Sequence, residues 1–481
     1  MTISTVHGKP AAPVIGALLL SALTYALAQT LVAPAIPALT REFGTESSTT
    51  SWVLTGFLLS ASVCTPLAGK LGDLFGKARV LTAVLLIFSF GSIVSGLAGS
   101  IEMVIAGRVI QGVAGGVFPL AFGIINDELP AERRSVAIGM ISAMFGIGGG
   151  IGLPLSGAIV DNTDISWLFW IGLLALPAAL LVHRVVPPSP ARERTRIDWG
   201  GAALLSLGLA AVLLGISKAN AWGWGSGRTV VALLGGVVLL GVFVAFELRR
   251  SQPLVDMRVL AERPVLATNI TGFLIGVAMF GSFLMIPQFA QAPESTGYGF
   301  GMTVLQSGLL MAPASFVMLV CGPLAGLLGN RVGFRAVLAA GTVANAISFA
   351  ILAVAHDTTA QFIASNLILG VGISFGFASM ANLIVGLVDP SEVGVATGIN
   401  TIMRTVGGAF GAAVVTALLT ADTIGASSIP TEHAYTEAFT ISIVICLLAL
   451  LAALWIPRSR RPRPAPARRP QAAGSATALR R

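Results

Sequence analysis

Residues 64–76 read CTPLAGKLGDLFG, and residues 321–333 read CGPLAGLLGNRVG. Eight of the thirteen positions are identical. The correspondence continues downstream: Gly112 aligns with Gly370, Pro130 and Glu132 with Pro390 and Glu392, and Gly139 with Gly398. Gly148, Gly149 and Gly152 align with Gly407, Gly408 and Gly411. Small shifts in spacing mark one-residue insertions. The second half therefore repeats the first, in the same order.

Composition says what is repeated. Of the 481 residues, 55% are apolar and 10% charged, and mean hydropathy is +0.87. An ordinary soluble domain is about 25% charged. So few charges cannot solvate a soluble globule, which excludes a cytosolic enzyme, a secreted domain and a disordered chain. A helix needs about 20 apolar residues to cross the hydrocarbon, and fourteen such runs are present. Runs one to six match runs nine to fourteen; runs seven and eight have no counterpart and read as an inserted hairpin. The expected fold is all-α and polytopic: a segment 1–13, a six-helix bundle over 14–187, a two-helix hairpin with linkers over 188–263, a second six-helix bundle over 264–456, and a disordered basic tail over 457–481. Each bundle has an even number of spans, so the two face the same way. They form parallel repeats about an axis along the membrane normal, with a cavity between them near the midplane.

Orientation follows from Lys and Arg. With the N-terminus inside, 24 of the 29 fall in cytoplasmic segments and three (Arg41, Lys218, Arg228) outside. Arg108 and Arg404 lie within spans. Both termini are thus expected in the cytoplasm of a cell-membrane protein. The net charge of +8 is a topology signal and not a nucleic-acid one, with the tail lying near anionic lipid. The three cysteines and four histidines are scattered, with no HExxH or CxxC. No metal, cofactor, nucleotide loop or nucleophile constellation is expected, so the chain does not read as an enzyme.

Several stretches carry mechanism. The loop Gly69-Lys70-Leu71-Gly72-Asp73-Leu74-Phe75-Gly76-Lys77-Ala78-Arg79 ends the second span. Gly69 and Gly72 allow close helix approach, and Gly76 allows a tight turn. Asp73 can face a neighbouring helix N-terminus and pair with a basic group. Made in one state and broken in another, such a contact biases a conformational equilibrium. In the fourth span Arg108 and Gly112 share a face with Gln111 beside them. A charge at mid-span costs at least about 2.5 kcal/mol on insertion scales and is a functional candidate by default. The fifth span holds Gly146 to Gly157, with Gly148, Gly152, Pro154 and Gly157 suited to close packing and a bend. In the repeat of that span, Arg404 follows Asn400 and stands opposite Phe145.

These features resemble the major facilitator superfamily. The GxLxDxxGxxR loop, its degenerate copy with Asn330 for Asp73, and the 6+2+6 layout are similar to its fourteen-helix drug:proton antiporters, over essentially the whole chain to about residue 456. The RxxQG of Arg108 to Gly112 is similar to a motif serving proton coupling or cavity electrostatics, and the glycine stretch of span five is similar to the antiporter motif. The resemblance implies export of hydrophobic drugs or antibiotics by alternating access. A solute facilitator or importer of the same fold, and a non-transporting scaffold or sensor, remain as alternatives.

The pattern is broken in places. Leu153 and Ser156 replace glycines of the antiporter motif. In span one, Leu27-Ala28-Gln29-Thr30 has Ala28 where the resemblance implies a proton-carrying aspartate. None of the 21 acids falls at mid-membrane. With Arg108 and Arg404 buried and no counter-charge, a hydrophobic substrate that is neutral or anionic is favoured over a cation. A coupled proton would ride on Asp73, Asp127, Glu128 or the substrate. Gln29, Thr30, Gln111, Asn269, Gln288 and Asn400 are the polar cavity candidates.

Overall fold

The computed structural model describes residues 5–6, 9–187, 198–250, 253–389, 392–425 and 429–457. Arg192, Arg194 and Arg196 of the expected linker and the basic tail from Arg458 lie outside the described residues. Among the described residues, fourteen helices are long and apolar enough to cross a membrane. They are α1 (Ala11–Ala35), α2 (Trp52–Phe75), α3 (Lys77–Gly96), α4 (Ile101–Glu128), α5 (Ala131–Asn162), α6 (Trp167–Val185), α7 (Trp199–Trp222), α8 (Gly227–Glu247), α9 (Arg263–Gln291), α10 (Val304–Val332), α11 (Phe334–Val354), α12 (Thr359–Leu387), α13 (Val393–Ala421) and α14 (Glu432–Trp455). A two-residue strand pair, Thr5–Val6 with Lys9–Pro10, precedes them.

The repeat is visible in the backbone. The α2 helix ends at Gly76 with φ 96° and ψ 124°, and α10 ends at the matching Gly333 with φ 91° and ψ 140°. An L side chain rarely adopts that conformation, so glycine at both positions lets the chain reverse directly into α3 and α11. The helix α4 departs from the unbroken span expected. Its centre, Gly112–Gly116, tightens into a 3-10 turn. The GVAGG run gives little resistance to this, and the glycines bring α4 against α2: a Cβ on Gly112 would stand 2.8 Å from the Ala61 nitrogen.

The two halves meet along two seams, and the seams are related by the repeat. Here the end of the helices bearing Lys70, Lys77, Arg133 and Arg331 is called the basic end. There, α2 crosses α13 at Gly69 and Gly394, where a Cβ on Gly69 would lie 2.7 Å from the Gly394 carbonyl. The matching residues of the other seam, Gly326 of α10 and Ser135 of α5, also touch backbone to side-chain position. One step further in, Gly398 packs on Thr65 while Gly139 packs on Gly322. These two contacts of one seam thus reappear at the other with the roles of the halves exchanged, as expected for a pseudo-twofold axis. Between lipid-like surfaces such packing comes from small residues and van der Waals contact.

The inserted hairpin covers one seam only. Helix α7 packs on both α2 and α13. Lys218 donates to Ser51 Oγ at 2.7 Å, and Asn220 Nδ2 donates to the Ala413 carbonyl at 2.9 Å. At the basic end, Lys70 donates to the Pro253 carbonyl at 3.3 Å. The outer face of α10 is uncovered, with Phe316 and Val320 exposed.

Candidate functional site

The basic-end loop folds into an ion cluster. Lys77 Nζ donates to Asp127 Oδ2 at 2.6 Å and lies 3.2 Å from Asp73 Oδ1. Lys77 reaches Asp127 by lying across Gly123, whose missing side chain leaves room for its stem. The Asp73 carboxylate faces the first turn of α13, where a Cβ on Gly394 would be 3.3 Å from Asp73 Oδ2. A carboxylate is favourable there because the helix dipole and free N–H groups are positive. Gly72 makes room for the Leu120 side chain of α4, and Arg79 is exposed. This part of the site thus joins Gly69, Gly72, Asp73, Gly76 and Lys77 to α4 and α13. The pairing with Asp127 is added by the fold; fifty residues of separation hide it in the sequence.

Outside the spans, Glu392 sits at the start of α13. Burial, with Asp256 and Asp389 nearby, holds its carboxyl above the usual carboxylate range.

Arg108 turns inward. It is 1% exposed, so it does not extend to the membrane surface. Its Nη1 donates to the Ala28 carbonyl at 3.0 Å and to Gln111 Oε1 at 2.8 Å, and its Nε donates to the Val53 carbonyl at 3.3 Å. Its guanidinium carbon lies 4.0 Å from the centre of the Phe57 ring. Gln111 passes the chain on, donating to Ser92 Oγ at 2.7 Å. Backbone carbonyls therefore take the role a carboxylate would otherwise play. One of them belongs to Ala28, where the family resemblance implies an aspartate.

Arg404 occupies the other half of the centre. Its guanidinium carbon lies 4.1 Å from the Phe377 ring centre and 5.8 Å from that of Phe145. Among the described residues, no ion pair reaches Arg108 or Arg404. Between the two arginines runs an aromatic column crossing the halves: Phe57 with Tyr25 at 5.9 Å, Tyr25 with Phe118 at 5.9 Å, Phe118 with Phe145 at 5.9 Å and Phe145 with Phe377 at 5.4 Å. Asn400 donates to Asn269 Oδ1 at 3.0 Å and ties α13 to α9.

Other residues marked in the sequence serve packing. Thr30 donates to the Gly148 carbonyl at 2.7 Å, joining α1 to α5. Gly148 packs on Ala26 and Gly152 on Thr30. Pro154 meets Gly308, and Gly157 meets Leu305, so the rest of the motif lines the α5/α10 seam. Gln29 is buried with Oε1 unpartnered. Gln288 is exposed on α9 and does not face the centre. Among the buried residues that escaped the sequence reading are Tyr25 and Asn366. The signal for Asn366 was a lone asparagine in an apolar run, the same signal that marked Asn269. A cavity of about 690 Å³ lies at the opposite end, lined by residues of the first half such as Arg41, Ser95 and Asp164, and is separate from this centre.

The model of the Major Facilitator Superfamily matches residues 18–299 and 268–481. The chain belongs to the Major Facilitator Superfamily. Among its relatives, an uncharacterised MFS-type transporter of Mycobacterium tuberculosis is 30% identical over 84% of this chain. The chain spans 58% of that relative's length. The multidrug transporter protein MdtP of Bacillus subtilis is 27% identical, over 82% of this chain and 73% of its own. The tetracenomycin C resistance and export protein of Streptomyces glaucescens is 28% identical, over 86% and 77%. In structure, the human organic anion transporter MFSD10 superposes with a TM-score of 0.68 at 17% identity, covering 92% of this chain and 100% of that one. This major facilitator is a multi-pass membrane protein, with fourteen candidate spans among the described residues.

Proposed function

We propose that this major facilitator is a secondary active transporter that exports hydrophobic drugs or antibiotics by alternating access, coupled to protons. It works in the cell membrane with both termini and the basic end in the cytoplasm, and it is a carrier and not an enzyme. The observation that carries the reading is the Asp73–Lys77–Asp127 cluster seated against the first turn of α13. It sets the buried Asp73 carboxylate of the first half against α13 of the second, at the basic end, while its Asp127 member keeps some exposure. Protonating or pulling away Asp73 removes the negative charge from the α13 N-terminus and favours parting of the halves there. The relatives named for multidrug transport and for resistance and export support the choice of cargo.

Within that reading, the gating residues are Gly69, Gly72, Asp73, Gly76, Lys77 and Arg79. Arg108, Gln111, Gly112, Asn400, Arg404 and Gln29 frame the cavity, and Thr30 braces it by tying α1 to α5. Pro154 and Gly157 belong to the packing surface on which the halves rock, and Gly148 and Gly152 hold α5 to α1 behind it. Two buried arginines without carboxylates favour neutral or anionic cargo over cations. Uptake by everted vesicles across a compound panel, with and without an uncoupler, tests the proposal. Uncoupler-sensitive accumulation of neutral or anionic hydrophobic compounds, lost in Asp73→Asn, is expected. Transport that ignores an imposed pH gradient contradicts it.

A further inference from the structure

Beside the glycine stretch of α5 lies a pocket shared by both halves. Its walls include Gly149 of α5, Phe283 of α9, Met311 and Met318 of α10, and Ile373 of α12. Asn366 of α12 is the one amide in the lining, and no lining residue carries a charge. Asn366 is 0% exposed, and neither its Oδ1 nor its Nδ2 has a hydrogen-bond partner in the protein. A buried amide with donor and acceptor both unmet is a standing cost to the fold. A leucine of similar size would fill the same space without it. A ligand that offers an acceptor and a donor side by side would satisfy both atoms at once.

We propose that Asn366 contacts substrate and sets specificity, selecting neutral, flat hydrophobic molecules that carry a carboxamide or an equivalent paired donor and acceptor. The proposal rests on the export reading and deepens it. Phe283 and the flexible methionines accept an aromatic body of varied outline, while a single polar group fixes its orientation. In this conformation the pocket holds about 10 Å³, room for roughly one water, so a substrate fits only when α5 and α10 part. Glycines make that seam. Gly150 lies against Ser315 and Gly146 against Met318, so neither accepts a side chain while the seam is closed. Gly149 differs: a Cβ there would meet the Phe283 ring at 3.5 Å, an ordinary contact.

The test is equilibrium binding of two fluorescent probes, anthracene-2-carboxamide and 2-methylanthracene, to the purified full chain. The probes share a ring system and differ in the paired donor and acceptor. Wild type is expected to prefer the carboxamide. Asn366→Leu should weaken carboxamide binding about tenfold, equal to about 1.4 kcal/mol, and leave 2-methylanthracene within about twofold, with a melting temperature equal to or above wild type. Gly149→Ala, which narrows the pocket without a clash, should weaken both probes. An unchanged ratio of the two affinities in Asn366→Leu overturns the proposal and leaves the amide a structural group bonded to water. Unchanged affinities in Gly149→Ala overturn it equally, and that variant decides the matter if Asn366→Leu does not fold. Binding is read without transport. A ratio shift in Asn366→Leu beside a wild-type protein that exports nothing refutes the export reading alone, and wild-type export beside an unchanged ratio in Asn366→Leu refutes the subsite alone.

Discussion

At the α2/α13 seam, Gly69 meets Gly394 and Asp73 faces the first turn of α13, with Lys77 drawn across Gly123 to Asp127. At the α5/α10 seam the matching residues are Gly326, Ser135 and Asn330, and the position of Lys77 is taken by Phe334, whose ring lies over Gly329. There Ser135 Oγ donates to Asn330 Oδ1 at 2.9 Å. The same backbone crossing is therefore built twice, once with a charged latch and once with a neutral one. The charged copy is covered by α7, and the neutral copy is open to lipid along α10. In the proposed mechanism the two crossings act as related hinges, and Asp73 and Lys77 make one of them responsive to charge. A latch of ions answers to protonation, whereas a hydroxyl–amide bond holds with nearly constant strength.

The largest effects should come from the crossings themselves. Gly69→Val and Gly326→Val each push a side chain into opposing backbone, where overpacking costs roughly 1–3 kcal/mol. Transport should fall about tenfold or more in both, with cysteines introduced at Arg133 and Arg331 of the basic end newly labelled by a hydrophilic maleimide. Equal losses would confirm that the crossings are equivalent; loss at one seam alone would break the comparison. Next, Asp73→Asn removes the charge facing α13 while Lys77 keeps Asp127. It should cost roughly 1–3 kcal/mol of the closed state and lower transport by about tenfold in vesicle uptake. Ser135→Ala removes the neutral bond to an exposed Asn330, worth about 0.5–1 kcal/mol, so uptake should change less than about threefold. A Ser135→Ala effect matching that of Asp73→Asn would show that charge gives no advantage.

The smallest effect concerns pH. Folding raises the Glu392 carboxyl, so the folded protein favours the protonated form. That stabilisation is present below the ordinary carboxylate range and is lost as pH rises through the raised value. Glu392→Gln should therefore raise the melting temperature at neutral pH and leave it unchanged near pH ~4. A difference independent of pH would remove Glu392 from the account.

The fold was legible because long apolar runs have few solutions in a bilayer and because Gly76 and Gly333 repeat a turn only glycine makes readily. The fourteen spans, the hairpin without a counterpart and the Asp73/Asn330 asymmetry all follow from residues in sequence order. The site was less legible because its bonds join distant helices or use the backbone. Nothing in the sequence tells that Lys77 chooses Asp127, or that the Ala28 carbonyl receives Arg108. Composition likewise does not separate Thr30, which glues α1 to α5, from Asn366, whose amide finds no partner. The 3-10 turn at Gly112–Gly116 also needed tertiary context, since it follows from how closely α4 approaches α2.

The central claim is that the halves rock about both seams together. Spin labels at Arg133 and Arg331 report the basic end, and labels at Asp161 and Thr303 report the other; all four residues are exposed. Double electron–electron resonance on the cysteine-free background, at pH values either side of the switch, measures both distances. The account predicts opposite changes, one pair lengthening as the other shortens, with Asp73→Asn shifting the populations toward a longer 133–331 distance. Distances that move in the same direction, or do not move at all, would contradict it.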